Sequence, residues 1–254
     1  MSHELVLVER EDLLAIVTIN RPSVRNALNT SVFRQLDRAL DRIADDREIR
    51  AVIITGAGDT FAAGADINEL LSMDSVQGWY SSRFGQSVFN KIERLNKPSL
   101  AAINGAALGG GLELALSCTL RFASNKAKMG FPELGLGILP GFGGTQRIIR
   151  AVGRGKAAEM ILLRSIIGAE EAKTMGLVNG VWPPGQVMAA AKEAARSISE
   201  LSPVAVHLAM ALLNNSQDEG FEPGLALESA VASLTLSSQE AKELLSRIVK
   251  KSRP

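Results

Sequence analysis

The chain of 254 residues has few of the side chains that build covalent cross-links or metal sites. It contains one cysteine, Cys118, and this excludes an intramolecular disulfide. Cys118 stands in an apolar helical segment, where a small buried core residue is the expected role. The two histidines, His3 and His207, lie far apart in the sequence and offer no metal cluster.

The chain also lacks an excess of charge of one sign. Lys and Arg number 28 against 27 Asp and Glu, a net charge of +1, so nothing indicates a nucleic-acid partner or an acidic one. No uncharged apolar run approaches the length of a membrane span. A signal peptide has a basic start followed by an apolar core, and the first ten residues do not have this pattern. We therefore expect a cytoplasmic protein without a membrane partner.

What is present is the composition of a globular protein, with 46% hydrophobic and 22% charged residues. Residues 5–8 and 13–19 are β-rich and predict a hairpin. Helix caps at residues 29–31 precede a helical apolar pattern, and residues 51–55 follow as a buried strand, an order that predicts a parallel α/β sheet. A strand, a small-residue loop and a helix are predicted over residues 52–70 and again over 99–116. Helical patterns fill the C-terminal region, at residues 187–198, 205–213, 225–236 and 240–249.

The candidate catalytic groups are concentrated in residues 99–147. Three glycines, Gly109 to Gly111, stand at the predicted start of a helix, where the first N–H groups have no partner inside the helix. Glu113 follows these donors, Glu133 follows a strand-like run, and a second glycine-rich segment over 140–146 opens another helix. Backbone donors with two carboxylates can stabilise an oxyanion and move protons. Close packing of layers and a helix-dipole role for Glu113 are the alternatives.

Three segments favour the catalytic interpretation: INGAALGGGLELA at residues 103–115, GFPE at 130–133 and LPGFGGTQR at 139–147. Together they resemble the signature of the crotonase family, the enoyl-CoA hydratase/isomerase superfamily. FAAGAD at residues 61–66 resembles the first motif of that family. The resemblance covers nearly the whole chain and is weakest after Ser202.

The resemblance implies an α/β fold, a spiral of ββα turns over residues 1–195, followed by a helical trimerisation region over residues 196–254. Members of the family form trimers, often stacked as hexamers. They bind acyl-CoA thioesters, and hydration of an enoyl-CoA needs no metal or redox cofactor.

By the same resemblance, the N–H groups of Ala65 and Gly110 hold the thioester oxygen. Members that hydrate 2-enoyl-CoA to 3-hydroxyacyl-CoA carry two glutamates, which match Glu113 and Glu133. Glu113 is assigned to the water and to base action, and Glu133 to the α-proton. The reverse or a shared assignment stays open because neighbouring carboxylates titrate together.

The remaining candidate residues are expected to bind substrate. The Gly141 N–H would help to hold the water or the hydroxyl, and Arg25 is a candidate for a CoA phosphate. Trp79 and Tyr80 would form a wall of the acyl pocket, whereas core packing is expected for Phe89. The remaining candidates come from the motif around Ala65: Ala63, Asp66 and Ile67. Where many hydratases have lysine, position 68 is asparagine.

Two other functions are compatible with the family. A 3-enoyl to 2-enoyl isomerase would use Glu133 alone. An RNA-associated binding protein would use the arginines of the first helix, but aspartates interleave with them and argue against it. The presence of both glutamates favours hydration, a hydro-lyase reaction of fatty acid metabolism.

Overall fold

The computed structural model of the chain describes residues 4–215, 221–239, 241–243 and 245–246. The strands among these residues are β1 (Val6–Glu11), β2 (Leu14–Ile19), β3 (Ala51–Gly56), β4 (Thr60–Ala62), β5 (Ser99–Ile103), β6 (Ala106–Leu108), β7 (Leu120–Ser124), β8 (Lys128–Gly130), β9 (Ile167–Gly168) and β10 (Gly180–Trp182). The α-helices are α1 (Thr30–Asp45), α2 (Ile67–Leu70), α3 (Ser75–Glu93), α4 (Gly110–Leu116), α5 (Gly144–Leu162), α6 (Ala169–Thr174), α7 (Val187–Ser199), α8 (Pro203–Asn215) and α9 (Phe221–Ser237).

The strands form two sheets. The larger has the order β1-β2-β3-β5-β7-β10, and it is parallel except for the predicted hairpin of β1 and β2. The smaller has the order β4-β6-β8-β9, in which β4, β6 and β8 are parallel. Each strand pair β3/β4, β5/β6 and β7/β8 adds one strand to each sheet before a helix follows. The predicted spiral of ββα turns is confirmed. Residues 52–70 and 99–116 each begin with a strand and end with a helix, as predicted, but the segments predicted as small-residue loops contain the short strands β4 and β6.

Helix α1 begins as the sequence predicts. The Asn29 side chain accepts a hydrogen bond from the Val32 N–H at 2.9 Å, which satisfies one of the free donors of the first turn. The apolar stripe of the helix is buried in the core: Val32, Phe33, Leu36, Leu40 and Ile43. On its outer face Asp37 and Asp41 pair with Lys91 of α3, so these charges join two helices.

Helix α7 covers the other face of the larger sheet. Val187, Ala191 and Ala195 pack there in a second core cluster with strand residues such as Leu100. The expected division of the chain at residue 195 falls inside this helix, and it stays a prediction.

Several smaller expectations can be compared with the structure. Cys118 is 3% exposed, and burial raises the pKa of its thiol to about 12, as fits a core residue. Helix α5 has a break at Gly153, where φ is 77°. Half of the residues in the helix predicted over residues 240–249, and His3, lie outside the described residues. Within the described part of the chain, no helix has the length and apolar composition needed to cross a membrane.

A group of aromatic rings joins the helices on one side of the core. Phe142 lies 4.8 Å from Phe33 and 6.0 Å from Phe89, measured between ring centroids, in edge-to-face contacts. Phe89 is fully buried, which confirms its predicted core role. Phe142 also packs directly on Gly85 of α3, where no side chain intervenes. Because Phe142 precedes α5, this packing fixes where α5 begins.

Two glycines of α3 test this packing. A Cβ on Gly78 would meet no atom within 4 Å, so Gly78→Ala should raise the free energy of unfolding by about 0.5–1 kcal/mol through helix propensity. A Cβ on Gly85 would overlap the Phe142 ring, so Gly85→Ala should lower it by about 1–3 kcal/mol. Urea and thermal unfolding of both variants measure this. Equal effects at the two positions would contradict the contact between α3 and Phe142.

Candidate active site

The smaller sheet brings three distant segments to one edge. Strands β4, β6 and β8 are parallel neighbours, so their carboxyl ends meet at the same edge. Ala65 follows β4, Gly110 follows β6 at the start of α4, and Glu133 follows β8. Glu113 lies in the first turn of α4. The four residues predicted to carry the chemistry are therefore placed around one edge.

The N–H groups of Ala65 and Gly110 are neighbours. A Cβ built on Gly110 would lie 3.4 Å from the Ala65 nitrogen. Leu28 forms a parallel β-bridge with Ala65. The Leu28 N–H donates to the Gly64 carbonyl, and the Leu28 carbonyl accepts from the Asp66 N–H. Neither the Ala65 nor the Gly110 N–H has an acceptor within the described residues, so both can donate to a ligand oxygen.

Glu113 is held by the start of α5. Its Oε1 accepts hydrogen bonds from the N–H groups of Phe142, at 2.8 Å, and Gly144, at 2.6 Å. A Cβ on Gly144 would lie 2.8 Å from the Glu113 Cγ, so this approach depends on glycine. Glu113 is 1% exposed, and burial raises its pKa to about 7 although the two N–H groups act to lower it.

Glu133 occupies a 3-10 turn, Glu133–Leu136, beside the start of α4. Its Oε1 lies where a side chain on Gly109 would stand, and Gly109 has a φ of 50°. Its Oε2 is buried and has no hydrogen-bond partner in the described chain. Burial raises the pKa of Glu133, and the charge of Glu133 in turn raises the pKa of Glu113. A buried oxygen without a protein partner is available to a water or a substrate.

The substrate candidates near Ala65 are partly engaged by the protein itself. The Asp66 carboxylate caps α2 and pairs with Arg21 at 2.9 Å, so its side chain has a structural partner. The Ala63 N–H donates to the Arg25 carbonyl at 3.0 Å. Arg25 has a φ of 53° and an exposed side chain, and Ile67 is also exposed.

The remaining candidates lie along α3 and the loop before α5. The Gly141 carbonyl accepts from the Ser82 hydroxyl and the Gln86 amide, whereas its N–H has no acceptor among the described residues. Trp79 and Tyr80 contact each other edge to face at 5.0 Å and are 59% and 65% exposed. They do not form a buried wall within the described chain.

Sequence analysis missed Gly85 and the role of Phe142. The Phe142 ring lies between Gly85 and Gly110, 3.1 Å from where a Cβ of Gly110 would be. The motif LPGFGGTQR contains Phe142 but does not show what its ring contacts. The only signal in the sequence was the presence of glycine at positions 85 and 110. A glycine can indicate a close approach, but it does not identify the residue that approaches.

Comparison with known proteins identifies the family of the chain. The family model described as enoyl-CoA hydratase/isomerase matches residues 9–254. The short-chain-enoyl-CoA hydratase of Clostridium acetobutylicum is 44% identical over 97% of this chain and 95% of its own length. The crotonyl-CoA hydratase of Syntrophomonas wolfei is 39% identical over 99% and 97% of the two chains.

A solved structure gives the same result for the fold. The crystal structure of an enoyl-CoA hydratase from Bacillus anthracis superposes with a TM-score of 0.93 at 34% identity, covering 99% of this chain and 98% of that one. The identity and the coverage of these matches are high enough to establish membership. The chain belongs to the enoyl-CoA hydratase/isomerase family.

Proposed function

We propose that the chain adds water across the 2,3-double bond of a short-chain 2-enoyl-CoA to give the 3-hydroxyacyl-CoA. The observation that carries this proposal is the pair of buried carboxylates, Glu113 and Glu133, beside the N–H groups of Ala65 and Gly110, which have no acceptor in the part of the chain that the structure describes. Relatives named short-chain-enoyl-CoA hydratase and crotonyl-CoA hydratase support a short acyl chain.

The two N–H groups would act as an oxyanion hole. Attack of water at C3 moves negative charge onto the thioester oxygen, and the Ala65 and Gly110 donors would stabilise that enolate. Because both donors are fixed by the sheet and by α4 before the substrate arrives, little reorganisation is needed. Loss of one such donor typically raises the barrier by about 3–4 kcal/mol.

The surroundings of the two carboxylates support different roles for them. Hydrogen bonds donated to a carboxylate favour its ionised form, and Glu113 accepts two of them from backbone N–H groups. Glu113 is therefore the proposed base for water. Glu133, whose buried Oε2 has no hydrogen-bond partner among the described residues, is the proposed donor of the proton at C2. Mutual repulsion makes it favourable for the pair to keep one proton. Delivery of water and proton from one side would give syn addition.

The rest of the substrate is proposed to lie along α3 and the loop after β4. Trp79, Ser82 and Gln86 share one face of α3, and Ser82 and Gln86 bind the Gly141 carbonyl. Trp79 therefore shares a face of α3 with the two residues that contact the loop before α5, and this supports an acyl wall of Trp79 and Tyr80. Arg25 is the candidate for a CoA phosphate. The proposed steps use carboxylates and backbone donors and no cofactor.

The cytoplasmic location of the protein stays a prediction.

An assembly of three chains, or of two stacked trimers, is the proposed oligomer. Helices α8 and α9 carry apolar residues on several sides, and Leu213 and Leu234 are 65% and 61% exposed. Apolar surface of this kind is typical of an interface. The helical region over residues 196–254 would supply it.

Light scattering tests this assembly directly. We expect a mass of three or six chains over a wide range of protein concentration, because the exposed leucines of α8 and α9 need to be covered. A monomer at every concentration would contradict the proposed trimer.

Substitution of the two glutamates tests the mechanism. Glu113→Gln and Glu133→Gln should each lower kcat for crotonyl-CoA hydration by about 100-fold to 10,000-fold, because each removes a proton transfer from the transition state. KM should change much less, since the CoA contacts stay in place. Steady-state kinetics measure both constants, and Glu9→Gln, an exposed glutamate on β1, is the control.

The same site can be tested against the isomerase alternative. Glu113→Ala should abolish hydration but spare much of any 3-enoyl to 2-enoyl isomerisation, whereas Glu133→Ala should abolish both. Retention of near wild-type kcat by either Gln variant would contradict the two-carboxylate mechanism. Efficient isomerisation by the wild type without detectable hydration would make the chain an isomerase.

The pH dependence of stability gives an independent test of Glu113. The pKa of Glu113 in the folded chain is about 7, above the ordinary value of 4.5. Its favourable contribution to the free energy of unfolding is therefore complete below pH 4.5 and is lost as pH rises through 7. Glu113→Gln stays neutral at every pH. The variant should therefore equal the wild type at pH 4 and exceed it by up to about 3 kcal/mol at pH 8. Thermal unfolding against pH measures this, and a constant difference would contradict the raised pKa.

A further inference from the structure

Arg147 is a buried arginine, in the first turn of α5, to which the proposed mechanism assigns no role. It is 7% exposed. Its Nε and Nη2 donate to the two oxygens of Glu93 at 3.0 Å and 2.9 Å, a bidentate pair, and Nη2 also donates to the Asn90 side chain. Glu93 and Asn90 belong to α3, so Arg147 ties the start of α5 to the end of α3.

The third nitrogen of the guanidinium reaches back to the segment that holds Glu113. Nη1 donates to the Phe142 carbonyl at 2.8 Å. The N–H of the same residue, Phe142, donates to Glu113 at 2.8 Å. Gly143 lies between, with a φ of 105°, and a side chain on it would overlap the guanidinium. One residue thus connects Arg147 to the carboxylate through its backbone.

We propose that Arg147 is a positioning residue for Glu113, acting by fixing the backbone of residues 142–144. Glu113 can orient a water only if its Oε1 stays bound to the Phe142 and Gly144 N–H groups. Those donors keep their direction because the Phe142 carbonyl is anchored to Arg147 and, through it, to Glu93. The inference rests on the proposed role of Glu113 as the base.

Charge as well as geometry links Arg147 to Glu113. The charged groups that act on Glu113 are Glu133, across the site, which raises its pKa, and Arg147, behind the loop, which lowers it. Removal of the Arg147 charge should therefore move the ionisation of Glu113 to higher pH. A lysine would keep the charge but cannot donate to Glu93 and Phe142 in the same planar arrangement.

The surroundings of Arg147 allow it to be replaced. A cavity of about 840 Å³ lies against it on α3, α5 and α8, lined mainly by polar residues that include Gln86, Glu93 and Asn214. The Glu93 side chain is 32% exposed. Without Arg147, Glu93 would therefore turn toward this cavity and be hydrated rather than stay buried and unpaired.

The test compares Arg147→Met and Arg147→Lys with Arg154→Met, a control at an exposed arginine of the same helix. The measurement is kcat and KM for crotonyl-CoA hydration from pH 5 to pH 9. Arg147→Met should lower kcat about 10-fold to 100-fold, as expected for a misplaced catalytic group, with KM changed less than about 3-fold. The acidic limb of its kcat profile, which reports the ionisation of the base Glu113, should move to higher pH. Arg147→Lys should lose kcat while keeping the wild-type pH profile, and Arg154→Met should match the wild type.

Thermal unfolding separates this role from loss of structure. A lower Tm with unchanged kcat and pH profile would overturn the inference, since Arg147 would then only stabilise the fold. If Arg147→Met does not fold, Arg147→Lys decides the matter alone: a wild-type kcat in that variant overturns the inference, and a loss of kcat with unchanged KM supports it.

A double substitution separates this inference from the proposed function. If Arg147 acts through Glu113, Arg147→Met in a Glu113→Gln background should change the residual kcat by less than about 3-fold. A full additional loss would overturn the positioning role while leaving the base assignment intact. A wild-type kcat in Glu113→Gln alone would overturn both.

Discussion

The binding of one buried carboxylate by the start of one helix is the interaction on which the site depends. Glu113 Oε1 accepts the N–H groups of Phe142 and Gly144, so α4 and α5 meet at the proposed base. This contact gives free donors at the start of α5 an acceptor, and it gives a desolvated carboxylate two donors. The same bond therefore contributes to the fold and prepares the chemistry. The direction of these hydrogen bonds depends on the position of Phe142, whose ring packs on α3 and whose carbonyl accepts a hydrogen bond from Arg147.

Close approach of backbone segments is the means by which the site is assembled. Gly109 leaves space for the Glu133 carboxylate, Gly110 for the Phe142 ring and Gly144 for the Glu113 side chain. A Cβ on Gly109 or Gly144 would overlap one of the two carboxylate side chains of the proposed mechanism, and a Cβ on Gly110 would press on the Phe142 ring. Burial of two carboxylates raises the pKa of both and opposes folding at neutral pH, a cost that is typical of active sites. The two carboxylates that carry this cost in stability are the ones proposed to act in catalysis.

The spiral arrangement explains why residues from three separate segments converge. Each ββα turn leaves one loop at the carboxyl end of the smaller sheet, after β4, β6 and β8 in order. The first loop supplies the Ala65 N–H, the second leads into α4 with Gly110 and Glu113, and the third leads into the 3-10 turn with Glu133. Family relatives with TM-scores above 0.9 share this frame. Residues outside this frame, such as Trp79 and Tyr80 of α3, are largely exposed.

Sequence by itself determined the hairpin, the cap of α1 at Asn29 and the main strands and helices, because these depend on local periodicity, whereas it singled out the two glutamates through motif resemblance. It also assigned Ala65 and Gly110 through motif resemblance. Only the tertiary structure decided which groups meet. Gly85 and Phe142 are far apart in the sequence, as are Glu93 and Arg147, and no local pattern specifies such contacts. For the same reason, the engagement of Asp66 by Arg21 and the exposure of Trp79 became visible only once the chain was folded.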